Sequence, residues 1–230
     1  MKIFFTAISF LFLSLTFAQN GIDSPETDDY LTNKTITLPK KVLNVAGNPY
    51  AQKDFQLGNV YKQGKLIANN VALRYNVSRD EVEVKGDLAT SNSQARVLKM
   101  NPDVYVRVLN DVYVYVAPTG ADAPGGYFNV IHEGENYHLY KKLKKEFIEG
   151  KKAINSVARD IPPTYKDRED MYLVNAKTNE LIELSGSRSR KLKAFPTHSK
   201  ELKKYSKEEN LNINKDYSLK KLVAYYNTLK

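Results

Sequence analysis

The sequence predicts an α+β protein in which a curled antiparallel β-sheet or partly closed barrel of about 8–10 strands precedes a cap of two or three helices. Three observations lead to this fold class. In residues 47–186, apolar and polar residues alternate with period two, as in antiparallel strands. From residue 187 onwards, apolar residues recur three and four apart, as in helices. The chain also contains no cysteine, so core packing alone must stabilise it.

The first residues are typical of a cleaved signal peptide. Lys2 precedes the apolar run Ile3 to Phe17, and Ala18-Gln19 offers a small-residue cleavage site. The run is shorter than the roughly 20 apolar residues that a membrane-spanning helix needs. We therefore expect residues 1–18 to be removed on export and the mature chain to have no membrane span. The C-terminal segment does not look like a sorting domain, which favours the periplasm over the extracellular space.

Beyond the signal peptide, the chain divides into three parts. Residues 19–46 mix Asn, Thr, Asp and Lys without a sustained period, which predicts a flexible linker. Residues 47–186 form the predicted antiparallel β domain. Residues 187–230 form the predicted helical segment, which we expect to pack on the β domain, and Pro196 separates its first two helices.

Three hairpins are expected in the β domain. VYKQGKLI (60–67) turns at Gln63-Gly64, and MYLVNAKTNELIEL (171–184) turns near residues 177–179. VYVRVLNDVYVYV (104–116) contains the turn dipeptide Asn110-Asp111. A two-residue turn there would pair Val108 with Tyr113 and Val106 with Tyr115.

The strands VALRYNV (71–77) and DEVEVK (80–85) have one apolar and one polar face. This pattern is typical of a sheet with one solvated side. We expect Leu73, Tyr75, Val77, Val82 and Val84 to face the core, and Arg74, Asn76, Glu81, Glu83 and Lys85 to face water.

The stretch HEGENYH (132–138) holds two of the three histidines. It resembles the H-E-x-x-H motif, in which two histidines four apart on a helix bind zinc and the glutamate acts as base. Here Asn136 stands at the second histidine position, and Gly134 disfavours a helix. We therefore predict a hairpin tip and no catalytic residue or cofactor, with His132, Glu133 and His138 kept only as weak metal candidates.

Register decides between these two interpretations. A turn of two or four residues would pair His132 with Tyr137 and send His132 and His138 to opposite faces of the sheet. A loop with an odd number of residues would place both imidazoles on one face instead.

The lysine-rich stretch KKLKKEFIEGKK (141–152) fits two periods. Leu139, Leu143 and Phe147 are four apart, as on a helix, but they also fit a strand, which the preceding hairpin favours. On a strand, the lysines could protect a sheet edge from pairing with other chains, or could form a strip that binds an anionic glycan or lipid. The candidate anion-binding residues are Lys141, Lys142, Lys144, Lys145, Lys151 and Lys152.

Charge is concentrated in the second half of the chain. The formal net charge is +9, and residues 138–230 alone carry 22 basic against 12 acidic residues. Such a surface could bind an anionic glycan or lipid head group, or could simply keep the protein soluble. Nucleic acid is disfavoured, because the chain is expected to be exported and has no recognisable nucleic-acid-binding motif.

Several segments are similar to an uncharacterised secreted protein family of Bacteroidota. They are the signal ending in Ala18-Gln19, the segment running from LRYN (73–76) to DEVEV (80–84), and the ending LKKLVAYYNTL (219–229). The resemblance implies export and a shared fold. It transfers no catalytic residue, because it carries no established activity.

These observations leave three functional hypotheses. The leading one is a non-enzymatic module of the bacterial envelope that binds a protein partner or has a structural role. The second is a module that binds a polyanionic glycan, a lipid head group or a small ligand through the basic half or a cavity of the sheet. The third, and least favoured, is a hydrolase, because the sequence shows no catalytic constellation.

Overall fold

In the part of the chain that the structure describes, eleven strands form one antiparallel sheet and three helices follow them. The structure is a computed structural model that describes residues 27–36, 45–120, 123–153 and 159–229. The predicted signal peptide, residues 1–18, lies outside these ranges. The α+β class, the curled sheet and the C-terminal helical cap are confirmed.

The elements follow the chain in simple order. The strands are β1 (Leu31–Thr35), β2 (Gln56–Lys62), β3 (Lys65–Asn76), β4 (Glu81–Lys85), β5 (Arg96–Leu98), β6 (Val104–Val108), β7 (Asp111–Val116), β8 (Gly126–His132), β9 (Tyr137–Ile148), β10 (Thr164–Asn175) and β11 (Leu181–Glu183). The helices are α1 (Arg188–Lys193), α2 (Ser199–Glu208) and α3 (Asp216–Thr228). Short 3-10 turns occupy Thr27–Tyr30 and Asn92–Gln94.

The sheet is curled but not closed. Its spatial order is β1-β5-β4-β3-β2-β6-β7-β8-β9-β10-β11, so β1 and β11 form its two edges. Because β1 and β11 do not pair with each other, the strands form an open sheet and not a partly closed barrel. The sheet has eleven strands, slightly more than the 8–10 expected. The hairpin turn at Gln63-Gly64 is confirmed, since Lys62 pairs with Lys65 and both turn residues have positive φ.

One edge strand lies inside the predicted linker. Residues 31–35 form β1, in which Leu31 pairs with Leu98 of β5 and is buried together with Tyr30. The segment LTNKT has no alternating pattern, so local sequence does not reveal the strand. It forms because the exposed edge of β5 offers backbone groups that need hydrogen-bond partners.

One face of the curled sheet carries the main core. Tyr75, Tyr113 and Tyr127 meet at its centre, with the Tyr75 ring centroid 5.0 Å from that of Tyr113 and 6.0 Å from that of Tyr127. Each of these rings is almost fully buried. Their neighbours are mostly the valines and leucines that the alternation assigned to the core, including Leu73, Val77, Val82 and Val84.

The polar face of β3 and β4 is buried, contrary to the expectation that it faces water. The Glu83 side chain has no exposed surface, and Arg74 Nη2 lies 2.6 Å from its Oε2. Residues 50–55 cover this pair, with the Arg74 guanidinium 3.8 Å from the Tyr50 ring centroid and 4.2 Å from that of Phe55. Alternation identified the two faces correctly but could not show that a preceding segment would cover the polar one.

The β6–β7 hairpin has a different register from the predicted one. Its turn lies at Leu109-Asn110, so Val106 pairs with Tyr113 and Val108 with Asp111. Leu109 takes positive φ, a conformation that sequence rules assign to Gly, Asn or Asp. This register buries Val106, Val108 and Tyr113 on the core face. The gain from burying these side chains outweighs the preference of the turn for Gly, Asn or Asp.

The three helices cover one end of the same sheet. Leu139 of β9 and Leu173 of β10 are fully buried beneath them. The helical partners are Leu192, Leu202, Leu219, Leu222, Val223 and Tyr226. In α3, the apolar residues that recur three and four apart therefore form the surface that packs on the sheet.

Side chains of Asp80, in the β3–β4 turn, and Lys142, in β9, join the β3–β4 turn to β8; we call this pair the Asp80 clamp. Strands β8 and β9 pair only around residues 129–132 and 139–141, and Asp80 lies where they diverge. Its carboxylate accepts hydrogen bonds from the Tyr127 amide (3.1 Å), the Tyr75 hydroxyl (2.6 Å) and Lys142 Nζ (2.7 Å). Lys142 Nζ also donates to the Tyr127 carbonyl at 3.1 Å. Two side chains thus bond backbone groups of Tyr127 beside the point where strand pairing stops.

Gly126 leaves the space that the Asp80 clamp occupies. It has φ of +99°, and a Cβ at this position would overlap the Asp80 carboxylate and crowd Lys142 Nζ. Glycine is therefore required both for the backbone conformation and for the close approach of the ion pair.

Replacing Asp80 with Asn tests how much the Asp80 clamp contributes to stability. The Asp80→Asn chain should lose about 2 kcal/mol of unfolding free energy, because the buried Lys142 ammonium loses its counter-charge while side-chain shape is retained. The matched change Asp160→Asn, in an exposed pair with Lys152, should leave stability nearly unchanged. Urea unfolding at neutral pH measures both, and equal small effects would show that the clamp contributes little.

Candidate functional site

The stretch HEGENYH connects β8 to β9 around the turn of residues 133–136. It is a hairpin turn, but the predicted pairing of His132 with Tyr137 is wrong. His132 lies opposite Leu139, and the register shifts between Val130 and His132. A bulge of this kind adds a residue to one strand, so counting turn residues gives the wrong partner.

The side chain of Asn227 on α3 explains the changed register. Its Oδ1 accepts hydrogen bonds from the amides of Asn136 (3.0 Å) and Tyr137 (2.9 Å). Its Nδ2 donates to the carbonyls of Tyr137 and Val223, each at 2.9 Å. Tyr137 thus bonds a helix side chain where the predicted hairpin would pair it with His132.

Gly134 allows α3 to approach the turn this closely. A Cβ at Gly134 would lie 2.6 Å from Cγ of Asn227 and 2.7 Å from the carbonyl oxygen of Tyr137. The glycine that disfavoured a zinc-binding helix is therefore needed for a helix-to-turn contact.

The two histidines of the stretch lie on opposite faces of the sheet. His132 is opposite Leu139, which is buried under the helices. The His138 ring stacks on Tyr140, with centroids 5.6 Å apart, and its Nδ1 accepts a hydrogen bond from the Gly134 amide. Glu133 is exposed. Within residues 27–36, 45–120, 123–153 and 159–229, no group of three His, Asp or Glu side chains could hold a metal ion.

The pKa of the His132 imidazole is lowered by its surroundings. Partial burial lowers its pKa below the ordinary value of 6.5, and the nearby positive charges of Lys220 and His138 lower it further. Glu133 opposes this shift. His132 is therefore a helix-facing group that resists protonation.

The lysine-rich stretch is a strand, as the preceding hairpin suggested, and its outer part is an edge among the described strands. β9 lies between β8 and β10, and its twelve residues pair in unbroken register with β10. Strand β8 pairs only with residues 139–141 of β9, so residues 142–148 have no strand partner on that side among the described residues. Edge protection by the lysines of this part therefore stays a prediction. Their ammonium groups pair with acidic residues of β10 and neighbouring segments.

Five of the six candidate lysines have carboxylate partners. Lys141 lies 2.9 Å from Asp216 and 3.5 Å from Glu169, and the 12%-exposed Lys142 belongs to the Asp80 clamp. The others are Lys144 with Asp170 (2.6 Å), Lys145 with Asp167, and Lys152 with Asp160 (2.8 Å). Lys151 lies in an isolated backbone bridge with Ile161. The stretch is therefore a set of local ion pairs, which weakens its attraction for a distant polyanion.

The outer half of the β9–β10 hairpin ends in exposed apolar side chains. Beyond the ladder with β8, residues 142–148 pair only with residues 164–170 among the described strands. At the end of this ladder, the exposed fractions are 45% for Phe147, 41% for Ile148 and 60% for Ile161. We call these three residues the apolar end; the Phe147 ring also contacts Tyr165, with centroids 5.1 Å apart.

Sequence reasoning missed the length of this hairpin. The predicted strand began at Met171, whereas β10 begins at Thr164, because TYKDRED shows no apolar alternation. A usable signal was charge complementarity at three of the pairs, since Lys166, Asp167 and Asp170 lie opposite Glu146, Lys145 and Lys142 in an antiparallel register.

No family profile, curated protein or solved structure matches this chain. The similarity to a secreted Bacteroidota family therefore remains an expectation from the segments quoted above. Among the described residues, no helix has the length and apolarity needed to cross a bilayer.

Replacing Gly134 with Ala tests the contact between α3 and the turn. The added Cβ should displace Asn227 and cost about 2 kcal/mol of unfolding free energy through lost hydrogen bonds. The amides of Asn136 and Tyr137 should then exchange hydrogen faster. Gly120→Ala is the matched control, because a Cβ at Gly120 meets nothing within 4 Å. Unchanged exchange in Gly134→Ala would contradict the assigned role.

The lowered pKa of His132 predicts a pH-dependent contribution to stability. Because the unfolded chain binds this proton more readily than the folded one, stability should fall as pH falls through about 6.5. In His132→Gln, this part of the loss should disappear. Unfolding free energies at several pH values between 5 and 8 measure the difference; a difference between the two chains that does not change with pH would refute it.

Proposed function

We propose that this protein is a non-enzymatic, exported interaction module of the bacterial envelope, which binds a partner protein through the apolar end of its β9–β10 hairpin. The observation that carries the proposal is the exposure of Phe147, Ile148 and Ile161 near the end of one extended hairpin, with Phe147 and Ile148 on opposite faces of β9. Large apolar side chains exposed close together in the chain are a feature of protein interaction sites. The partner surface is an apolar pocket or groove that can accept an aromatic and two aliphatic side chains.

The stem of the hairpin supports an apolar rather than an electrostatic mode of binding. The ion pairs Lys144–Asp170 and Lys145–Asp167 cross between its strands and balance its charge. Twelve continuous backbone pairs hold the two strands in one register. A fixed, charge-balanced stem loses little conformational entropy when its end docks, which favours binding.

Binding to a polyanionic glycan or lipid is the competing hypothesis. It would use the six candidate lysines of residues 141–152, five of which are already paired with carboxylates. Binding by such residues would have to displace these partners, and it would be strongly weakened by salt.

Site-specific photo-crosslinking in the cell of origin tests the proposal. A photoreactive residue at position 147 or 161 should capture one recurrent protein. The same residue at position 88 or 100 should not, although Leu88 and Met100 are similarly exposed, at 51% and 50%. Capture of the same proteins from all four positions would contradict a defined docking site.

Purified partner then allows an affinity measurement. The chain with Phe147→Ser, Ile148→Ser and Ile161→Ser should bind about tenfold more weakly or worse, because these side chains supply the buried apolar contacts. The control chain with Leu88→Ser and Met100→Ser should bind normally. Affinity that survives the triple change but falls with added salt would refute apolar docking and favour the polyanion hypothesis.

A further inference from the structure

A cleft lies where the β8–β9 turn, the β10–β11 turn, the α1–α2 connection and the end of α3 meet. Its volume is about 490 Å3, within the range of small-molecule sites. It is separate from the apolar end of the β9–β10 hairpin and lies on the side of the HEGENYH turn that α3 contacts. Its lining includes Asn136, Tyr137, Lys177, Thr197, His198 and Tyr226.

The floor of the cleft is a fixed aromatic surface. The Tyr226 ring is buried and contacts Tyr137 and Phe195, each with centroids 5.0 Å apart. The Tyr226 hydroxyl lies 3.1 Å from the Thr197 hydroxyl. Partial burial and the neighbouring Tyr226 raise the pKa of Tyr137, so its hydroxyl is neutral. The floor therefore offers ring surface and neutral hydroxyls, which suit a ligand that carries both C–H and O–H groups.

The rim of the cleft favours negative charge. Lys177 is a lining cation, and no Asp or Glu is among the lining residues. His198 precedes the first residue of α2 and lines the cleft, so the positive end of the α2 dipole lies there. The negative end of α3 borders the cleft at Leu229. An anionic group would therefore be attracted towards Lys177 and the start of α2 and away from the end of α3.

Two polar side chains at the cleft are left available. Among the described residues, neither the Asn136 side-chain amide nor the His198 imidazole has a hydrogen-bond partner. His198 is also held at φ of +59°, an uncommon conformation for histidine. These groups can donate to or accept from ligand hydroxyls without breaking a bond within the protein.

We propose that this cleft binds a sugar unit that carries a carboxylate, with the sugar ring on Tyr137 and Tyr226 and the carboxylate towards Lys177 and the start of α2. The proposal combines the aromatic floor, the neutral hydroxyl and amide groups and the positive rim. It is independent of the protein partner proposed above, because it uses a different surface.

Titration of the purified full-length chain with D-glucuronate tests the proposal. Imidazole resonances give an internal control, since the chain contains only three histidines. The His198 signals should shift in a saturable manner, while those of His132, which packs towards α3, should not. D-glucose should bind at least about fivefold more weakly than D-glucuronate, because it lacks the charge. No shift of His198, or equal binding of the two sugars, would overturn the proposal.

Two substitutions locate the site. Lys177→Ala should weaken D-glucuronate binding about fivefold without changing D-glucose binding, and Tyr137→Phe should weaken both. Lys65→Ala, which changes an exposed lysine of the β2–β3 turn, is the matched control and should bind normally. If Lys65→Ala weakened D-glucuronate binding as much as Lys177→Ala, the sugar would be attracted only by the overall positive charge of the chain. Acetate that shifts His198 as strongly as D-glucuronate would overturn the role of the sugar ring.

Discussion

The ion pair between Asp80 and Lys142 is the constraint on which the arrangement of the sheet depends. A curled sheet of eleven strands that does not close must still satisfy backbone groups where neighbouring strands diverge. Here the carboxylate accepts from the Tyr127 amide and the ammonium donates to the Tyr127 carbonyl. Burial lowers the pKa of Lys142, while Asp80 opposes that shift. Residues far apart in sequence thereby hold the β3–β4 turn against β8 and β9.

Charged residues stabilise this fold mainly through specific partners. Glu83 is fully buried, yet it accepts bonds from Arg74 and Asn76, so the charge of its carboxylate is compensated. On the β9–β10 hairpin, acids and lysines pair between strands in the same way. A basic chain of net charge +9 therefore need not present a basic binding strip. What the hairpin exposes at its end is apolar, and this is why we propose protein docking in preference to polyanion binding.

The HEGENYH stretch resembles a metal-binding motif in sequence but forms a turn that contacts α3. HEGENYH holds the residue types of a metal site, but His132 and His138 lie on opposite faces. Gly134 makes room for Asn227, which bonds the turn to α3. The same contact places Tyr137 beside Tyr226 and so builds the floor of the cleft. The stretch therefore serves as a contact between the β8–β9 turn and α3.

Sequence alone determined the fold class and which face of most strands is apolar, because period two and period 3.6 are properties of the local chain. Leu73, Tyr75, Val82 and Val84 are in the core as alternation requires. Tertiary structure decided the rest. The turn at Leu109, the bulge before His132 and the partners of the lysines depend on contacts with distant residues. Strand register and ion pairing depend on the apolar area buried and the hydrogen bonds formed in the whole sheet. A local segment of sequence does not contain this information.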